Sequence, residues 1–112
     1  MRILAIEREL AEPIHSALHE LLRTDAAAIW DMTKRGVIRD IWCTNTTDRR
    51  AILMLECANA TEAKKHLATL PLVQSGLIDF TIHELQSYDG FERLLGFSPV
   101  PVATKPEEPP EY

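Results

Sequence analysis

The stretch from Leu67 to Phe80 constrains the fold most. Leu67-Ala68-Thr69-Leu70 closes an apolar helical stripe, Pro71 and Gly76 follow, and Leu77-Ile78-Asp79-Phe80 opens an apolar run that carries an acid. Proline lacks an N–H and its ring crowds the preceding turn, so a helix running into Pro71 ends near Leu70. The segment therefore reads as a helix-to-strand junction, and the strand that precedes the helix makes it the last junction of a strand–helix–strand unit.

The remaining elements fall out of periodicity and punctuation. Arg2 to Glu7 is a short apolar run and reads as a first strand. Arg8 to Glu20 is open, because Glu12-Pro13 suits either a helix start or a loop. From Leu21 the helical pattern is clear: Leu18, Leu21, Leu22, Ile29 and Met32 fall near one face, and Ala26 to Ala28 favour helix. Lys34-Arg35 suits the negative end of the helix dipole, and Gly36 suits a left-handed cap. Val37 to Cys43 and Arg50 to Cys57 read as strands joined by the polar loop Thr44 to Arg49, a hairpin. Asn59 with Glu62 makes a capping-box start for a second helix, whose buried stripe is Ala63, Leu67 and Leu70. Gly76 to Leu85 supplies the fourth strand, Asp89-Gly90 a turn, and Phe91 to Leu95 a short helical piece. These elements define a domain over residues 1–97. The remaining residues, 98–112, hold five of the seven prolines and three glutamates, a composition that cannot bury enough surface to fold alone and reads as a tail.

The order β-α-β-β-α-β is the split, ferredoxin-like pattern. It predicts an α+β fold with a four-stranded antiparallel sheet and the helices on one face. An uncovered apolar sheet face of that size is rare on a monomer, so a homodimer, or a higher homo-oligomer, is expected to cover it.

Composition excludes several functions. A net charge of −5 leaves no basic excess to neutralise phosphates, which argues against nucleic-acid binding. The apolar runs are too short to span a bilayer, and Met1 to Glu12 lacks the apolar core of a secretory signal. The expected setting is the cytoplasm, without membrane partners. The hairpin pairs Cys57 near Val37 and not near Cys43, so the thiols are too far apart for an intrachain bridge. Both are read as buried small hydrophobes. With only four glycines and no phosphate loop or dinucleotide fingerprint, no cofactor is expected.

Strand alternation sorts the candidate chemistry. On the fourth strand Asp79, Thr81 and His83 share one face, and Ile78, Phe80 and Ile82 lie under the helices. On the third, Ala51, Leu53 and Leu55 oppose Ile52, Met54 and Glu56. Asp40, Trp42 and Ile38 are placed together on the second strand, and Glu7 ends the first. The candidate catalytic residues are His83, Asp79 and Glu56, with Trp42, Asp40 and Glu7 as substrate-binding walls. Histidine titrates near neutrality and serves as an acid or base when a carboxylate fixes its tautomer. A desolvated Asp or Glu can do the same work. The plainer alternatives stand beside these: a solvated edge histidine, carboxylates bridged to Arg39 or Arg50, and a core or interface tryptophan. His15 and His19 read as a surface pair, His66 as solvated, and no metal site is expected.

Lys34-Arg35-Gly36, Arg39-Asp40-Ile41-Trp42 and Leu70-Pro71-Leu72, in this order, resemble muconolactone isomerase and its relatives. The resemblance runs from about Leu21 to about Leu85, and Tyr88-Asp89-Gly90-Phe91 is similar to relatives of unassigned activity. It implies a dimeric α+β barrel and cofactor-free proton transfer on a small lactone. The chain departs from the family in its first strand and loop and at Asp40, so no catalytic residue is transferred. The primary reading is thus a small-molecule enzyme resembling that isomerase, with cofactor-free isomerisation or related proton transfer on a small lactone or carbonyl compound. The alternatives are a cofactor-free monooxygenase of the same barrel group, or a non-catalytic dimer that binds a small ligand or a partner protein.

Overall fold

The computed structural model describes residues 1–12 and 15–96. The elements run β1 (Arg2–Glu9), α1 (His15–Lys34), β2 (Ile38–Cys43), β3 (Ala51–Glu56), α2 (Ala60–Leu67), α3 (Pro71–Gln74) and β4 (Ile78–Glu84), with a closing 3-10 turn over Gly90–Leu95. The four strands form one antiparallel sheet in the order β2-β3-β1-β4. The ferredoxin-like α+β fold expected from the element order is present. The proposed tail lies outside the described residues.

Local chemistry explains the boundaries. The first helix starts at His15, earlier than the periodicity from Leu21 suggests, and β1 extends to Glu9. The helix stops at Gly36, whose φ of 79° is a conformation other residues adopt with strain. The Gly36 N–H bonds to the Thr33 carbonyl and the Val37 N–H to Met32, the paired bonds of a Schellman cap. The second helix opens on its expected Asn59 cap: Asn59 accepts the Glu62 N–H at 2.9 Å, and the Glu62 carboxylate reaches back to accept the Ala58 N–H at 3.1 Å, one residue before the N-cap of a regular capping box. It ends at Leu67, three residues before the expected stop. Pro71 does not merely end it but starts α3, at a first-turn position where its missing N–H is no loss. Gly76, again at φ 79°, caps α3 by the same paired bonds, Gly76 to Val73 and Leu77 to Leu72.

The core lies between the sheet and the helices. Ile3 and Ala5 of β1 and Leu53 and Leu55 of β3 are fully buried there, against Met32, Ala63, Leu67 and Leu70. The stripe expected on α1 holds at Met32 and Ile29 but not at Leu22, which is exposed; the buried position beside it is Asp25. On β3 and β4 the faces fall as alternation predicts. On β2 they do not. A bulge at Arg39 separates Ile38, which pairs with Leu55 and is buried, from Asp40 and Trp42, which pair with Met54 and Ile52 on the opposite face. An extra residue on one strand reverses the alternation beyond it, so Ile38 does not lie with Asp40 and Trp42.

Candidate active site

Two regions compete for the chemistry: the face of the sheet turned away from the helices, and a pocket on the helix side. The open face carries two cross-strand rows, Trp42–Ile52–Ile6–Thr81 and Asp40–Met54–Leu4–His83. Its centre is apolar and its rim charged. Strands sit about 4.8 Å apart, so Asp40 and His83, at opposite ends of a four-strand row, are on the order of 14 Å apart. Asp79 faces Arg8 across the β1–β4 ladder and accepts its guanidinium at 2.8 Å. That bond, rather than one to Arg39 or Arg50, holds its carboxyl below the usual range. Glu56 lies 3.4 Å from the amino group of Met1. His83 is exposed beside Leu4. The structure thus places Asp40, Trp42, Glu56, Asp79 and His83 on one face, but among the described residues no carboxylate is hydrogen-bonded or ion-paired to His83.

Glu7 does not join them. On β1 it shares the helix-side face with Ile3 and Ala5, and it points into a pocket of about 340 Å³. All four strands contribute to that pocket: Glu7 and Glu9 from β1, Cys43 from β2, Ala51 from β3 and Ile78 from β4. Leu18 and Leu22 of α1 and Leu72 and Leu77 around α3 roof it, and Arg49 reaches in from the hairpin loop. Mostly apolar walls with a few convergent polar groups are the usual form of a small-molecule site.

The walls act on the carboxyl. Glu7 Oε1 accepts the Ala51 N–H at 3.4 Å, a long bond that offers weak compensation for burial. Desolvation raises the Glu7 carboxyl above its ordinary value, and the nearby charge of Asp25 raises it further, against the lowering pull of Ala51 and Arg50. Asp25 is 5% exposed, and burial raises its carboxyl too, partly countered by the Leu72 N–H it accepts at 3.1 Å. That bond ties α1 to the first turn of α3, beside the pocket. Arg49 donates to Cys43 Sγ at 3.3 Å, so a cation and a thiol stand together in the wall. Cys43 is exposed, not buried as its composition class suggests, because β2 is an edge strand. Cys57 is buried as expected, and its thiol is pushed up by desolvation and by Glu62 and Glu56.

Sequence reasoning missed the pocket because an inward acid near a strand end looks like any surface acid. The one available signal was register: Glu7 is four residues from Ile3 and two from Ala5, and so belongs to their face.

No protein-family model matches the chain, and no curated relative does. Among solved structures, the chain is similar to 5-chloro-2-hydroxyhydroquinone dehydrochlorinase from Burkholderia phenoliruptrix AC1100, in complex with 2,5-dihydroxybenzoquinone. The two share a fold. The TM-score is 0.56 at 15% sequence identity, over 80% of this chain and 98% of that one. At that identity the likeness concerns architecture alone. Among the described residues, no helix is long and apolar enough to cross a membrane.

Proposed function

We propose that this chain is a small-molecule enzyme that transfers a proton on a small lactone, carbonyl or hydroquinone-type ring, with Glu7 as the acid–base group. The observation that carries the reading is Glu7 itself: a half-buried carboxyl, raised by desolvation, in a pocket of about 340 Å³ fed by every strand. Efficient general bases work best when their pKa approaches the operating pH, and burial moves Glu7 in that direction. In this reading ionised Glu7 takes a proton from the carbon next to a carbonyl. The electron pair moves onto the oxygen, Arg49 offsets the enolate charge, and protonated Glu7 returns the proton to a different carbon. The leucines of α1 and α3 hold the ring. The fold shared with a dehydrochlorinase of a hydroxylated aromatic compound supports this class of ligand, and so does the isomerase resemblance of the Gly36, Trp42 and Pro71 segments.

A homodimer belongs to the same reading. Leu4, Ile6, Ile52 and Met54 are half-buried on the open face, and Trp42 there is 52% exposed. A second copy laid on this face buries them and places Asp40, Glu56, Asp79 and His83 around the seam. Their role in this reading is to shape the interface, and His83 acts on substrate only if the seam forms a closed cavity.

The test compares two variants on a panel of small lactones and hydroxylated hydroquinones, followed by absorbance and proton exchange into deuterated solvent. Glu7→Gln should lower turnover by ~10²–10⁴-fold, the scale of general acid–base loss. His83→Ala should leave turnover within a few-fold. The reverse pattern would move the chemistry to the open face. Oxygen consumption during turnover would indicate the monooxygenase alternative, and tight ligand binding without turnover the non-catalytic one.

A further inference from the structure

At the far end of β3 from the pocket, three side chains of different chemistry converge. Cys57 Sγ, a Glu62 carboxylate oxygen and a His66 ring nitrogen all lie within 4.8 Å of one another. Cys57 follows β3 directly and is buried; Glu62 and His66 stand one turn apart on α2, half-buried. The pocket meets β3 at Ala51, so by strand rise the two places are separated by roughly 17–20 Å. This cluster is independent of the Glu7 site.

The geometry points to a binding site for a zinc-class divalent cation formed by Cys57, Glu62 and His66, with the fourth coordination position open to water. A thiolate, an imidazole and a carboxylate are the three ligand types that tetrahedral zinc takes. The mixture of sulfur and nitrogen disfavours magnesium or calcium, which select oxygen. Zinc–ligand bonds of about 2.0–2.3 Å imply ligand atoms roughly 3.3–3.7 Å apart in a tetrahedron. The observed spacing needs a contraction of about an ångström, within reach of the partly exposed Glu62 and His66 side chains. Part of the arrangement is already fixed. Glu62 Oε2 accepts the Ala58 N–H, which turns Oε1 toward His66 Nε2 at 3.6 Å. One carboxylate oxygen thus orients the group while the other remains for the ion, as outer hydrogen bonds commonly do for metal ligands. The consequence is a clamp that fastens α2 to the end of β3. Sequence spacing does not show it, because the cysteine belongs to a strand end and the other two to a helix.

The test is titration of untagged, metal-free reduced protein with Co²⁺ and Zn²⁺. One equivalent of cobalt should produce a thiolate-to-cobalt charge-transfer band and the visible bands of tetrahedral cobalt, displaced by zinc. Zinc should also raise the melting temperature of the wild type. His66→Ala and Cys57→Ser should weaken binding by at least ~10–100-fold, the loss that removal of even outer-shell partners brings. Glu62→Gln keeps an acceptor for Ala58 and should weaken the metal without unfolding α2, as circular dichroism would verify. Cys43→Ser should retain the full band. Absence of the charge-transfer band, or a band that survives His66→Ala, overturns the site. If Cys57→Ser fails to fold, the His66 and Glu62 variants decide the question.

Discussion

Asp25 offers the sharpest test of how the pocket is held together. It is nearly fully buried in the middle of α1, and its carboxylate accepts the Leu72 N–H at 3.1 Å. That N–H belongs to the first turn of α3, where helical donors have no partner within their own helix. Asp25→Ala removes the acceptor and leaves a part-buried donor unpaired, a loss of about 1–3 kcal/mol. For a domain of this size each kcal/mol corresponds to roughly 4–8 °C in Tm. The effect should depend on pH with a definite sign. Burial raises the folded Asp25 carboxyl above its ordinary value of 3.8. Its contribution to stability is therefore complete below that value and is lost as pH rises through the folded one. The gap between wild type and Asp25→Ala should be widest near pH 4 and narrow toward pH 7. Asp25→Asn keeps an acceptor without the charge and should gain on wild type over the same interval. Urea denaturation of the three proteins at several pH values measures this. A gap that widens with pH would mean that the fold favours the ionised form, and an unchanged Asp25→Ala would mean that the tie to α3 contributes nothing.

Glu7→Gln should raise Tm relative to wild type at pH 7 but not at pH 4. The raised Glu7 carboxyl supports the fold only below its ordinary 4.5 and loses that support as pH climbs through its folded value; a Tm difference that is flat in pH would contradict the desolvated carboxyl. Asp25→Asn should also shift the acid limb of any Glu7-dependent activity to lower pH, because it removes a charge that raises Glu7. Ile52→Glu, in the apolar centre of the open face, should convert a dimer to a monomer in light scattering, and a mass unaffected by the substitution would mean that this face is not the interface.

Much of the architecture was legible because its punctuation is chemical. Gly36, the Asn59–Glu62 pair and Pro71 each mark a helix end that only certain residues allow. Period-two alternation assigned β3 and β4 correctly because neither strand is interrupted. Arg39 defeated the same reasoning on β2, since a bulge leaves no signature in a run such as Ile38-Arg39-Asp40-Ile41. Asp25 was invisible among Thr24 and Ala26, where a mid-helix acid ordinarily faces water. The site was less legible than the fold. Glu7 sits at the end of a strand whose face composition alone does not assign, and His66, beside Lys64-Lys65, carries no sequence mark of the Glu62 carboxylate 3.6 Å away.

The two Schellman junctions make the halves of the chain comparable position by position. In each, a glycine is followed two residues later by an isoleucine turned toward the helices, Ile38 or Ile78, and then by an acid on the open face. The second half reaches Asp79 at once; the first inserts Arg39 before Asp40, and the bulge absorbs it. The two junctions thus differ by a one-residue insertion, absorbed where it occurs. Length is negotiable at Arg39, which already sits outside the ladder. It is not negotiable after Ile78, where one added residue without a bulge would turn Asp79, Thr81 and His83 into the core and bring Phe80 and Ile82 out to the open face.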